Sequence, residues 1–468
     1  MQWQPVVLWT DALLYLLLVV TIWFVIKAMH KPHIRSAWRK VLQRPMAVVA
    51  LMVLCVYLAI GIVDSLHFRT VTTTTSSTTV EYSGQLTSVL DVILRPITHT
   101  SETTYSAPFA LQLFSRETIL LPNGEITRIY PRLNYVDPTI VNDHQRQRDI
   151  YQRIFIGFIQ ATAITFLFTL LLVIVLQRRW RFNYRKTLNC LWRGKTIMPL
   201  RTMILTLWCI LLVIIITTQL ASAYHIFGTN KVGVDVFYLT LKSIRTGLMI
   251  GTLTTLIMLP FALILGIAAG FFGGWVDDLI QYLYTTLSSI PGVLLIAAAI
   301  LSIQVFISNH PMVFATLPER ADARLLALCA ILGITSWTGL CRLLRGETLK
   351  LREVDYTQAA IALGTSRWRI LSKHMLPNVM HIVLITVVLD FSMLVLAEAV
   401  LSYVGVGVDP TSISWGNMIN SARLELAREP MVWWPLLAAF TLMFILVLAA
   451  NLFADAVRDG FDPRAQTT

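Results

Sequence analysis

Two carboxylates, Asp390 and Glu398, stand inside an apolar run at 379–400. Charge at mid-bilayer costs about 2.5–3.5 kcal/mol on insertion scales, so such residues face a bundle interior or water. Eight residues turn a helix through about 800°, leaving the two side chains about 80° apart on one broad face. A carboxylate there could attract the amino group of a solute moving along a translocation path. It could equally bond backbone or a neighbouring helix, and both readings stay open for Asp390 and Glu398. Lys242 and Arg245 flank the end of another apolar run, 244–270, where long side chains reach for the interface as solvated anchors.

Enzymatic chemistry finds little foothold. A phosphate-binding loop needs glycines whose backbone N–H groups cradle phosphate. Gly194-Lys195-Thr196 comes nearest, but Asn189 stands where the first glycine belongs, in a short basic loop with no preceding strand. HExxH, GxSxG and paired CxxC are absent from the sequence. Cys55, Cys190, Cys209, Cys329 and Cys341 have no paired spacing, which argues against a disulfide framework or a zinc site. We expect no catalytic residue, no metal and no cofactor bound by this chain.

The stretch 353–378, EVDYTQAAIALGTSRWRILSKHMLPN, reads as two short helices. Asp355 or Thr357 can cap the first, and Gly364 supplies the left-handed residue that ends it. Thr365 or Ser366 can cap the second, which must stop before Pro377. The first helix presents small residues, Ala359, Ala360 and Ala362, and suits a groove in another protein. An amphipathic helix lying on the bilayer fits the same pattern.

These residues must be held by membrane-spanning elements. Of 468 residues, 56% are hydrophobic and 14% charged, a balance that suits a bilayer as solvent. A helix needs about 20 mostly apolar residues to cross the hydrocarbon core. That criterion predicts nine spans, at 7–27, 46–64, 153–176, 203–223, 244–270, 279–303, 324–341, 379–400 and 433–456, the sixth interrupted by Ser288, Ser289, Pro291 and Gly292. The first run lacks a basic leader and a small-residue cleavage site, so it is expected to stay as a span.

The net charge of +12 is concentrated beside spans, which favours topology over nucleic-acid binding. Lys27–Arg44 and Arg178–Arg201 are basic without an acid, and both read as cytoplasmic. Alternation then puts the N-terminus outside, 65–152 outside, and 342–378 and the C-terminus inside. The external segment opens on a Ser/Thr run, Thr72 to Thr79, continues through patches such as Glu125–Tyr130, and is punctuated by Pro108, Pro122, Pro131 and Pro138. It is expected to be a small α+β or irregular domain.

QAA, a glycine four residues after the second alanine, and LP at 376–377 resemble the EAA signature of ABC-importer permeases. Over roughly 224–464 the chain is similar to the C-type permease of dipeptide and oligopeptide importers. HIFGTN (225–230), GFFGGWVDD (270–278), SIPG (289–292), LRGETLKLREVDYTQAAIALG (344–364), HMLPN (374–378), LAEAVLSYVGVGV (396–408), SWGNM (414–418) and DAVRDGFDPR (455–464) carry it in order. Gln358 replaces the usual Glu and removes a salt bridge from that position. Asn230 replaces an expected Asp, and Val234 an expected Arg.

The resemblance implies an all-α polytopic protein. Its six-helix type I importer permease core, 203–468, carries a coupling element at 353–378. An N-terminal pair (1–64), the external domain (65–152) and a third helix with its basic loop (153–202) form an extension, either a packing element or an extra contact for a binding protein. The implied function is that of a permease subunit, in the bacterial cytoplasmic membrane, forming a peptide pathway. Partners are a second homologous permease, two cytoplasmic ABC ATPases that hold ATP and Mg, and an extracytoplasmic peptide-binding protein. Nickel, glutathione or antimicrobial peptides are alternative cargoes, and a non-transporting membrane scaffold or receptor is the alternative from another class. Coupling is implied for Asp355, Tyr356, Thr357, Gln358, Ala359, Ala360, Gly364, Arg367, Leu376 and Pro377. Binding-protein docking is implied for Gly228, Thr229, Asn230, Asp235, Trp415, Gly416 and Asn417.

Overall fold

The computed structural model describes residues 3–72, 81–84, 86–98, 101–120, 126–180, 198–310 and 316–461. Cys190, the Asn189–Thr196 near-match, most of the second basic stretch, most of the Thr72–Thr79 run, Pro122 and the last residues of the 455–464 motif lie outside the described residues.

Among the described residues, nine helices are long and apolar enough to cross a membrane. They are α1 (Trp9–Met29), α3 (Pro45–Ser65), α6 (Asp143–Trp180), α7 (Leu200–Ala221), α8 (Val236–Phe272), α10 (Gly292–Asn309), α11 (Leu317–Arg352), α14 (Leu376–Val404) and α16 (Trp434–Phe461). Shorter helices join them: α2 (Pro32–Gln43), α4 (Val89–Ile93), α5 (Arg95–Thr98), α9 (Gly274–Ser289), α12 (Asp355–Ala362), α13 (Arg367–Ile370) and α15 (Trp415–Glu425). The long helices overrun the apolar windows at both ends. The 37 residues of α8 and 36 of α11 continue into polar sequence because their backbone bonds close within the helix wherever the chain leaves lipid.

The span expected at 279–303 is corrected to two helices, α9 and α10. Pro291 offers no N–H and pushes Ile290 into extended backbone, which ends α9. The basic stretch at Lys27–Arg44 is largely helix α2. Pro32 opens it, Trp38 packs on Phe453 and Phe461 of α16, and Arg44 pairs with Asp459.

Parallel helices α8 and α11 form the spine of the bundle. Gly266 abuts Cys341 and Leu344, and Gly270 abuts Arg345 and Thr348. A Cβ on Gly270 would stand 2.6 Å from the Thr348 Cβ, so only glycine lets the helices approach this closely. α14 lies against α8 with Phe391 over Gly251, and α16 packs on α3, with Tyr57 donating to the Leu442 carbonyl.

Opposite the α12 end sit two small sheets. β1 (Trp3–Val6) pairs antiparallel with β2 (His67–Thr72), which also pairs with β3 (Glu81–Tyr82) and β4 (Thr87–Ser88). β5 (Glu117–Leu120) and β6 (Ile126–Ile129) form a hairpin. The segment after Glu102 is laced to the loop before α8. Glu102 N–H donates to Gly233, Thr229 N–H to Ser106, and Phe109 N–H to His225. Gly233, at φ +75°, allows this, since a side chain there would meet the Glu102 backbone.

Candidate functional site

At one end of the bundle α11 stops at Arg352, and a compact turn returns the chain to α14. Val354, without a side-chain bond, is the N-cap of α12. This corrects the expected caps Asp355 and Thr357. Asp355 lies in the first turn, where its charge complements the helix dipole, and Thr357 is buried beneath the helix. Gln358 Nε2 donates to the Arg352 carbonyl at 2.9 Å. A carboxylate cannot donate, so the glutamine supplies an α11 cap that glutamate could not.

Gly364, at φ +71°, ends α12. Its N–H donates to Ile361 and the Thr365 N–H to Ala360, the two bonds of a Schellman cap. Ser366 stands at the N-cap of α13 without a side-chain bond. The expected stop before Pro377 is corrected: helix runs on through a π turn at Leu371–Met375 into α14. Widening the turn moves the carbonyl that would strike the Pro377 ring, and Leu376 N–H reaches back to Leu371.

The inner face of this knuckle is rooted in the core. Ala360, Ile370 and Met375 are buried with Phe271, Leu340 and Leu344, and Leu376 packs beside them. Asn378 donates to the Tyr356 hydroxyl at 2.9 Å, and the Arg367 guanidinium lies 5.9 Å from the Phe272 ring centre. The outer face is apolar. Leu363 is 84% exposed and Trp368 80%, with Tyr356 and Ile361 beside them and Ala359 between. Sequence reasoning stressed the alanines and missed Leu363 and Trp368. Two large apolar side chains flanking a turn glycine were the available signal.

The seven residues assigned to binding-protein docking cluster at the opposite end, but mostly inside it. Thr229 is buried and donates to the Thr104 carbonyl, and Gly228 packs on Ser106. Asp235 is buried as the N-cap of α8 and accepts from His225 at 2.5 Å. Trp415 is buried and donates to the Thr240 carbonyl, and Gly416 packs on Glu398. Asn230 folds its own turn by accepting from Val232 and Val234, and Asn417 donates to the carbonyls of Asp409 and Ser412. These residues shape the face and offer it little side-chain surface.

Buried His225 joins extension to core. Glu102 stands 3.9 Å from its Nε2, Asp235 is bonded to its Nδ1, and Tyr135 stacks on the ring at 4.7 Å. Burial disfavours the imidazolium, but the two carboxylates outweigh it and hold the pKa at about 9.

The intramembrane carboxylates differ. Glu398 is buried and accepts from Ser402 at 2.7 Å and Ser414 at 2.9 Å, which fixes the start of α15. Asp390, midway along α14, is half-buried beside the exposed Leu389 and Met393, and has no hydrogen bond or ion pair among the described residues. The expectation that Lys242 and Arg245 are solvated anchors is corrected. Lys242 pairs with Asp91 and Arg245 with Asp11, and their side chains are 19% and 14% exposed.

Residues 262–467 match the family described as binding-protein-dependent transport system inner membrane component. The dipeptide transport system permease protein DppC of Lactococcus lactis is 30% identical over 52% of this chain, which spans 64% of that relative's length. The glutathione transport system permease protein GsiD of Pectobacterium atrosepticum is 31% identical over 53% of this chain and 75% of its own. An inward-facing structure of the MetNI methionine ABC transporter matches 47% of this chain and 96% of its own, at 16% identity and a TM-score of 0.34.

Proposed function

This chain belongs to the inner membrane permeases of binding-protein-dependent ABC importers, and on that premise we propose that it forms a pathway for short peptides, driven through the α12–α13 knuckle. It is a multi-pass inner membrane protein. Its relatives named for dipeptide and glutathione transport support a peptide cargo.

The observation that carries the reading is the exposed apolar cap of the knuckle, Leu363 and Trp368, set on side chains buried in the α8–α11 core. Two large apolar residues on a polar turn call for a partner's groove. The partners in this reading are two ATPases, which bind ATP and Mg, together with a second permease and an extracytoplasmic binding protein at the sheet end. Arg342, Arg345, Lys350, Arg352, Arg367, Arg369 and Lys373 at the knuckle end support its cytoplasmic placement.

ATP-driven closure of the ATPases pushes the knuckle. The rigid root through Ala360, Ile370 and Met375 passes that motion to α8, α11 and α14 as rigid-body rocking. Asp390, a carboxylate without a hydrogen bond or ion pair among the described residues, on a half-open helix face, borders the path and attracts the ammonium of a passing peptide.

The test is reconstitution. ATPase subunits should co-purify with the tagged chain, and peptide with its binding protein should stimulate ATP hydrolysis in proteoliposomes. A chain that purifies alone and leaves hydrolysis indifferent to peptide is a scaffold or receptor instead.

A further inference from the structure

Between the extension and the core, at the sheet end, a cleft of about 630 Å³ opens. Sites for small organic ligands span about 300–1,000 Å³, so the size suits a short peptide. Its wall is shared: Asp64 ends α3 of the extension, Asp322 lies in the second turn of α11, and Lys242 and Arg245 come from α8. Leu8 and Leu86 of the extension add apolar surface.

The charges on this wall are not evenly matched. Lys242 is held by Asp91 at 2.6 and 2.7 Å, and Arg245 by Asp11 at 2.7 and 3.2 Å. Neither of those acids lines the cleft, so both cations are neutralised from behind. Asp64 and Asp322 do line it, and they are 2% and 5% exposed. Asp64 accepts from the Ser88 hydroxyl at 2.7 Å, and Asp322 accepts from the hydroxyl and N–H of Thr10. Lys242 and Arg245 act on Asp64, and Arg245 on Asp322, only through space: among the described residues no ion pair or hydrogen bond joins either acid to a cation. Two buried carboxylates hydrogen-bonded only by neutral donors, beside cations already held by other acids, are costly unless a further cation completes them.

We propose that this cleft binds the ammonium end of a short peptide, with Asp64 and Asp322 as its acceptors. The inference rests on the peptide reading above and adds a site that the extension and the core build together. The cleft lies beside the outer turns of α8 and α11, so a peptide leaving a binding protein meets the extension before it meets the path.

The test uses the full chain in nanodiscs, without a binding protein, titrated calorimetrically with Ala-Ala, N-acetyl-Ala-Ala and Ala-Ala amide. Ala-Ala and its amide should bind, and the acetylated peptide, which has no ammonium, should not. Asp64→Asn and Asp322→Asn should each weaken binding at least about tenfold, the scale of a charge-assisted hydrogen bond. Ala321→Trp, which puts an indole into the cleft and leaves both acids in the sequence, should abolish binding and keeps the test decisive if an Asn variant fails to fold. Equal binding of free and acetylated peptides, or no binding while the complete transporter still imports Ala-Ala, overturns this inference and leaves the peptide reading standing. Ammonium-dependent binding together with a complete transporter that imports no peptide upholds the cleft and sinks the peptide reading.

Discussion

Arg345 grips Asp277 through two hydrogen bonds, Nε to Oδ1 at 2.5 Å and Nη2 to Oδ2 at 2.7 Å, and so bolts the last turns of α11 to the first turn of α9. The knuckle hangs from the end of α11 that this pair steadies. Lysine cannot reproduce a forked contact, so Arg345→Lys is expected to cost about 1–2 kcal/mol and lower the detergent melting temperature by a few degrees. The hydrogen bond from Arg345 holds the Asp277 carboxyl below its usual range. Its contribution is therefore present above pH about 4 and fades as acid protonates it. A melting series from pH 7 to pH 3 on wild type and Arg345→Lys should converge at the acid end.

His225 predicts the opposite pH dependence. Its pKa is raised from 6.5 to about 9 in the folded chain, so the imidazolium stabilises the structure fully below pH about 6.5. That contribution drains away as pH climbs through about 9, by no more than about 3 kcal/mol. Hydrogen exchange should show the segment 102–114 loosening from the core over this interval. In His225→Gln the alkaline loss should be absent.

The close approach of α8 and α11 makes Gly270 intolerant of bulk. Gly270→Val forces its Cβ towards Thr348 and the Arg345 carbonyl, the latter 2.7 Å away, and should cost about 1–3 kcal/mol or more. Gly346, which meets nothing within 4 Å, is the matched control for valine placed in these helices. Thermal unfolding in detergent should separate the two variants.

Asp11 neutralises Arg245 across 234 residues of sequence and also accepts from His67. Removing one partner of a buried pair strands the other at about 3–5 kcal/mol, so Asp11→Ala should be severely destabilised. The double variant Asp11→Asn with Arg245→Gln removes both charges and should recover much of that loss. Expression and melting temperature of wild type and the two variants measure the weld between extension and core.

The legible parts of this chain are those in which one residue type answers one local demand. Among the described residues apolar runs located eight of the nine spanning helices and overlapped the ninth, α10, and Gly364 was readable as the left-handed end of α12 because few other residues adopt that backbone without strain. Long-range partners were not readable. Nothing local marks Trp3–Val6 as the strand beside His67–Thr72, or Asp91 as the partner of Lys242. Local reading also stopped the helix before Pro377, where a π turn carries it through. The burial of Trp415 and Thr229 was not readable either, since a sequence motif does not say which way a side chain points.

The most direct test of the coupling claim places p-benzoylphenylalanine at Leu363, whose side chain is 84% exposed, and irradiates the assembled transporter in membranes. A covalent product with an ATPase subunit, its yield changing between nucleotide-free and ATP-bound states, is the predicted result. Adducts to lipid alone, or to a protein on the extracytoplasmic side, would contradict the account.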